Sequence, residues 1–236
     1  MIYPLLVTAL SPVLLLQGLY VRKVTPRLPE ASGERFGQLG SGAPLRLLIV
    51  GDSAAAGVGV KLQSDALSGQ LSNQLAINYQ ISWQLWAKNG NKSQDLLELL
   101  EKKPRQAIDV VLISIGVNDV TGGTSQKKWL KQQQNIISLL MTKFSAQQII
   151  YSALPPMHHF PALPQPLRWV FGMRAQQFND CLQREIKKQA RCRYLSFNAP
   201  MHIDYIAEDG FHPSAKTYSL WAKEAVQIIT LSKQTA

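Results

Sequence analysis

The chain has 236 residues, 46% of them hydrophobic and 17% charged, and its 25 Lys and Arg against 15 Asp and Glu give a formal net charge of +10. That is enough for one sizeable core and too little for two ordinary domains. Two cysteines exclude a disulfide framework, and no Cys/His spacing suits zinc. The positive charge is spread over pairs such as Lys102 and Lys103, Lys127 and Lys128, and Lys187 and Lys188, with no interleaved aromatic stripe. It therefore reads as the solvated faces of a basic protein, and no nucleic acid is expected as a partner.

The first 21 residues carry no charged side chain, and Arg22, Lys23 and Arg27 follow at once. A cleaved signal peptide has a cationic start and a small-x-small exit, and this stretch has neither. Residues 1–24 are therefore expected to lie in or against a membrane surface, although Pro4, Pro12 and Gln17 interrupt a run already marginal for a span of about 20 apolar residues. If the segment spans, the cations on its C-terminal side favour a cytoplasmic main domain. The alternatives are a soluble cytoplasmic or an exported protein, and an apolar arm packed on the domain itself. Residues 25–44 are rich in Pro, Gly, Ser and charge and read as a linker, which leaves 45–236 as the folded domain.

From residue 45 onward, strand-like and helix-like stretches alternate. Apolar or β-branched runs at 45–50, 81–88, 109–116, 147–154 and 192–197 are separated by amphipathic stretches near 63–76, 93–102, 125–144 and 172–190, with a last helix from 213 to about 231. Strands buried on both faces read as unbroken apolar runs, and helical crossovers impose parallel pairing. The expected fold class is α/β, a three-layer α/β/α sandwich around a central parallel sheet of about five strands, with ligands at the carboxyl ends of the strands. The Pro-rich stretch 154–173 reads either as an apolar cover over that site or as a stiff connection. Cys181 and Cys192 leave the compartment undecided, and their pairing stays open.

The first strand runs directly into Gly51-Asp52-Ser53, which puts Ser53 where a sheet of this kind displays a nucleophile. The glycines that follow do not make a P-loop, because Gly57 precedes Val58, nor a dinucleotide fingerprint, because Leu62 stands where the third glycine belongs. The nucleophile elbow G-x-S-x-G is met except for Ala55 in the last place. A serine after a strand is also a common helix N-cap, so its partners decide. A nucleophile needs a base, a group that orients the base, and donors for the oxyanion. In "EDGFHPSAKTY", Asp209 and His212 are placed so that the imidazole can face Ser53 while the carboxylate receives its other ring N–H, although a helix starting at Pro213 explains the same turn. His158, His159 and His202 have no carboxylate at that spacing. After the third strand, Asn118 offers a side-chain amide to an oxyanion or, equally, an Asx-turn. After the second, Gly90 lets a backbone N–H approach a ligand or completes an Asn-Gly turn.

Taken in order, these blocks resemble the SGNH, or GDSL-type, serine hydrolases: Gly51 to Ser53, Gly90, Gly116 to Asp119, and Asp209 to His212. The resemblance spans residues 45–231. It implies a flavodoxin-like sandwich and ester hydrolysis through Ser53, His212 and Asp209. It further implies an oxyanion hole made of the Ser53 and Gly90 backbone amides and the Asn118 side chain. The expected substrate is a small-molecule or lipid ester, and the mechanism calls for no metal or organic cofactor. Ala54 stands where a leucine usually follows the Gly-Asp-Ser block, which leaves more room beside the nucleophile. Two other readings stay open on the same residues: an acyltransferase, in which an alcohol replaces water, and a catalytically silent carbohydrate- or lipid-binding domain. The intact Ser53, Asp209 and His212 speak against the silent domain.

Overall fold

The computed structural model of the protein describes residues 7–196 and 202–234. Residues 1–6 of the apolar segment and the expected strand end at 197 lie outside the described residues. Six strands form one sheet: β1 (Phe36–Leu39), β2 (Ala43–Gly51), β3 (Tyr79–Ala87), β4 (Val110–Ser114), β5 (Gln148–Ser152) and β6 (Cys192–Leu195), in the order β1-β3-β2-β4-β5-β6. All pairs are parallel except β1 with β3. Among the described residues they are accompanied by the α-helices α1 (Ser11–Val24), α2 (Leu67–Leu75), α3 (Ser93–Lys102), α4 (Val117–Thr121), α5 (Gln126–Thr142), α6 (Leu167–Ile186) and α7 (Ala215–Gln234).

Successive residues of the central strands feed two separate cores. Leu48 and Val50 of β2, with Val111 and Ile113 of β4, pack towards α3, α5 and α6, while Leu47 and Ile49, with Val110 and Leu112, pack towards α2 and α7. This two-sided burial is why these strands are unbroken apolar runs in the sequence, and it makes the molecule an α/β/α sandwich. Trp129 of α5 and Phe178 of α6 stack with ring centroids 4.4 Å apart and join two helices of one layer.

The register aligns the exits of the strands. Gly51 pairs with Ala87 on one side and with Ser114 on the other. A Cβ at Gly51 would stand 1.9 Å from the Ser114 carbonyl oxygen, so only glycine lets β2 leave the sheet there.

The structure departs from the sequence-based expectation in four places. The sheet has six strands because β1, short, half exposed and confined to an edge, carries no apolar run to announce it. It lies in the stretch read as a linker, which is bound to the sandwich at several points: Ala31 is buried, Ser32 bridges to Leu62, and the buried Gln63 donates from Nε2 to the carbonyls of both Ala31 and Ala56. The helix expected from 172 begins at Leu167, since Pro166 ends the Pro-rich loop and its ring suits a helix start. Finally, α4 is too short to show a period in sequence.

Helix α1 rests on the domain with one face. Leu14 and Val21 pack against the core that includes α6, and the Gln17 side chain bonds Gln165 and Leu167. Among the described residues no helix is long and apolar enough to cross a membrane. Cys181 and Cys192 are free, buried thiols, and burial pushes the Cys192 thiol up to about 11.

Candidate active site

The turn after β2 is fixed from several sides. Asp52 N–H donates to the Ser114 carbonyl at 3.0 Å, Ala56 N–H to the Asp52 carbonyl at 2.9 Å, and Val58 N–H to the Ser53 carbonyl at 3.0 Å. From α7, the buried Tyr218 hydroxyl donates to the Val58 carbonyl at 2.7 Å. Ser53 is thereby held at the carboxyl end of the central strand β2.

A second segment, 206–213, brings the base. An isolated bridge of Ile206 to Pro213 and the Ala207 N–H to His212 carbonyl bond close this loop ahead of α7. His212 Nε2 lies 2.9 Å from Ser53 Oγ, and His212 Nδ1 lies 2.5 Å from Asp209 Oδ2. The other carboxylate oxygen, Oδ1, accepts the backbone N–H groups of Phe211 and His212 at 2.9 and 3.0 Å. Burial works against the ionised form of Asp209, but the bond from the His212 ring and those two N–H groups outweigh it and hold the carboxyl below its ordinary value. An ionised Asp209 keeps a proton on Nδ1 and leaves Nε2 as the acceptor facing the serine.

The expected oxyanion donors are tied to the same strand end through Asn91. Its Nδ2 donates to the Gly51 carbonyl at 3.2 Å, and its carbonyl accepts Asn118 Nδ2 at 3.0 Å. Gly90, at φ +85°, sits in the turn between β3 and Asn91. Among the described residues the backbone N–H groups of Ser53 and Gly90 donate to no protein acceptor, and one of the two Asn118 amide hydrogens remains unused. Asn118 is carried by α4, which is clamped by the buried Asp119: its Oδ2 accepts both the Ser93 N–H at 2.9 Å and the Ser93 hydroxyl at 2.7 Å.

An apolar cleft opens at the nucleophile, with about 850 Å³ of empty space including its open mouth, and its walls include Ile115, Leu154, Phe160, Phe211 and Trp221 beside Ser53 and His212. Gly90 and Asn118 lie outside that lining. Phe160 of the Pro-rich loop meets Phe211 edge-on at 4.8 Å, so the loop contributes to the cleft wall. Asp52 also faces the cleft. It is fully buried, its Oδ1 accepts the Ala54 N–H, and burial pushes its carboxyl up to about 7. Among the described residues no group of three His, Cys, Asp or Glu side chains is placed to hold a metal ion.

The structure thus brings Ser53, His212 and Asp209 into one hydrogen-bonded chain and links Asn118, through Asn91, to the strand end that carries Ser53. The rings of His158 and His159 lie beside each other in the Pro-rich loop, tilted by 48° with centroids 4.1 Å apart, and stay outside the cleft lining. Asp52 and Asp119 lie inside the sequence blocks named above but had no role assigned there, and Asn91, beside Gly90, had none either. The available signal was adjacency alone, since each directly neighbours a residue it supports.

A mainly parallel α/β/α sheet with this relay at its strand exits defines an SGNH-type ester hydrolase. The chain belongs to the GDSL-like lipase/acylhydrolase family, whose sequence profile matches residues 49–220. An uncharacterized protein of Bacillus subtilis (strain 168), YpmR, is 27% identical over 206 residues, which cover 76% of this chain and 79% of its own. Among solved structures, a lipolytic G-D-S-L family protein from Veillonella parvula superposes with a TM-score of 0.63 at 15% identity, covering 79% of this chain and 98% of its own. The psychrotrophic esterase EstA from Pseudoalteromonas sp., in a structure inhibited by monoethylphosphonate, gives a TM-score of 0.61 at 20% identity, covering 80% and 98%. At these identities the structural likeness is one of fold.

Proposed function

We propose that the protein hydrolyses carboxylic esters through an acyl-enzyme on Ser53. The observation that carries this reading is the Ser53 Oγ to His212 Nε2 to Asp209 chain, at 2.9 and 2.5 Å, at the mouth of an apolar cleft. His212 takes the serine proton as Oγ attacks the ester carbonyl carbon. The oxyanion that forms is received by the Ser53 and Gly90 N–H groups and the free Asn118 amide hydrogen. Collapse of the tetrahedral intermediate breaks the bond to the alcohol oxygen, which leaves with the proton from His212. Water then attacks the acyl-enzyme, gives a proton to His212, and the acid departs as Ser53 regains its proton. Asp209 orients the ring throughout and stabilises the imidazolium.

The cleft suits an apolar acyl chain, because burying methylene groups against Leu154, Phe160 and Trp221 is favourable by about 0.8 kcal/mol each. The test is turnover of p-nitrophenyl esters of increasing acyl length, with analysis of the acid and any transacylated product in the presence of an acceptor alcohol. Free acid as the main product, with turnover abolished in Ser53→Ala, is the expected result. Equal turnover by Ser53→Ala, or none by the folded wild-type protein, would overturn the proposal, and dominant transfer to the alcohol would make the protein an acyltransferase.

A further inference from the structure

Helix α1 has two unlike faces, and the outer one has no partner. Its inner face is held by Leu14 and Val21, which pack on the core, and by Gln17, whose Nε2 donates to the Gln165 carbonyl at 2.6 Å while its Oε1 accepts the Leu167 N–H at 3.0 Å. The opposite face carries Val13, Leu15, Leu16, Leu19 and Tyr20, of which Leu15 is 65%, Leu16 68%, Leu19 55% and Tyr20 61% exposed. A helix that only covers its own domain shows polar residues to water on that side. The charge around it has one sign: no Asp or Glu precedes Glu30, whereas Arg22, Lys23 and Arg27 follow the apolar face.

We infer that the outer face of α1 docks on the surface of an anionic lipid bilayer. An exposed apolar helix face flanked only by cations is the composition of an interfacial helix, whose leucines enter the acyl boundary while the basic residues meet lipid phosphates. A second copy of this basic chain would bring cations against cations at the same place. The helix lies along the domain, so docking sets the domain's orientation as well as its location.

That orientation bears on the cleft. The loop that Gln17 clasps lines the cleft through Leu154, Pro155 and Phe160, and its Ala162 N–H donates to the carbonyl of Gly210, the residue after Asp209. The inner face of α1 and the apolar cleft are therefore joined by one short segment of chain.

The test uses the full chain, sedimented with vesicles of equal parts phosphatidylglycerol and phosphatidylcholine and, separately, of phosphatidylcholine alone. The wild-type protein is expected to sediment with the anionic vesicles, less with the neutral ones, and less at high salt. Leu16→Asp with Leu19→Asp should weaken vesicle affinity at least about tenfold, with the milder Leu16→Gln and Leu19→Gln pair in between. Arg22→Glu with Lys23→Glu should remove the preference for anionic lipid. All these variants should keep the wild-type circular dichroism spectrum and the wild-type turnover of a short soluble ester, and Ser53→Ala should bind vesicles as the wild type does. A wild-type protein that stays in the supernatant, or an Asp pair that sediments equally well, would overturn the inference. So would a lipid-free dimer that the Asp pair dissociates, since the face would then belong to a second copy. Failure of the esterase reading shows separately, as absence of soluble-ester turnover in a protein that still binds vesicles.

Discussion

Two histidine–aspartate pairs stand close together in the C-terminal segment and share nothing but their residue types. His212 Nδ1 meets Asp209 at 2.5 Å with side chains 17% and 1% exposed, whereas His202 Nδ1 stands 3.7 Å from Asp204 with side chains 65% and 50% exposed. Asp204 is also shared with Lys216 at 3.0 Å, and that lysine is the main cause of its lowered carboxyl. Asp209 reaches a lowered value by a harder route: burial opposes its charge, and three hydrogen bonds from the His212 ring and neighbouring backbone overcome it. In water a pair like the second is screened and loosely oriented, and its Nδ1 accepts the Asp204 backbone N–H at 3.3 Å, so the carboxylate does not orient the ring. The difference teaches that the function of such a pair comes from enclosure and from the serine on the far nitrogen.

The largest expected effect separates the two pairs. Asp209→Asn should lower kcat for an activated ester by about 10⁴, as in the serine-protease template, because an amide favours the wrong tautomer. Asp204→Asn should change kcat by less than about twofold, since a solvent-exposed ion pair contributes little. Comparable losses in both variants, each with an intact circular dichroism spectrum, would break the comparison.

The next effect concerns the donors beside the enclosed pair. Asn118→Ala should reduce kcat by about 10² to 10³ with little change in KM, the signature of a donor used in the transition state. Asn91→Ala, which removes the amide that binds the Gly51 carbonyl, should cost less. Steady-state kinetics on a short ester reads both.

A stability measurement sharpens the contrast between enclosed and exposed carboxyls. The folded-state carboxyl of Asp52 is raised to about 7 from an ordinary 3.8, so between those values the folded protein holds a proton that the unfolded chain releases. The contribution of Asp52 is therefore full below about pH 4 and is lost as pH rises towards about 7, a fall of a few kcal/mol. Asp209 has the opposite sign: its stabilisation is present above the unfolded value and is lost on acidification. Denaturant unfolding at several pH values should show Asp52→Asn gaining on the wild type by that amount between about pH 4 and pH 8. A constant difference would place the Asp52 charge elsewhere.

The smallest effect tests how the serine's own turn is held. Tyr218→Phe keeps the buried ring but leaves the Val58 carbonyl without its donor, and should cost about 1 to 2 kcal/mol of stability.

What the sequence disclosed follows from how local each signal is. Ser53, Asp209 and His212 were legible because the glycine that frees the strand end stands two residues before the serine and the carboxylate lies three residues from the histidine. The central strands were legible because both their faces are buried. The bridge from Gly51 through Asn91 to Asn118 joins three strand exits and leaves no periodic trace, since its partners meet only after the sheet has formed. Edge strand β1 and the contacts of Gln63 with Ala31 and Ala56 hide for a related reason: a short backbone ladder on β3 and isolated side-chain bonds hold this stretch to the domain, and a Pro- and Gly-rich stretch looks the same whether or not such bonds exist. In α1 the uncharged run was plain, while the division into a docked and an open face depends on where Gln17 lands.

The most direct measurement is reaction of the purified protein with a fluorophosphonate, followed by peptide mapping of the adduct. Attack by an activated serine on phosphorus expels fluoride and leaves a stable tetrahedral adduct that mimics the acylation intermediate. One adduct on Ser53 is predicted, absent in Ser53→Ala, slowed strongly in His212→Ala and Asp209→Asn, and formed at the wild-type rate in Asp204→Asn. Labelling at another residue, or a folded wild-type protein that does not label, would contradict the assignment of Ser53 as the nucleophile.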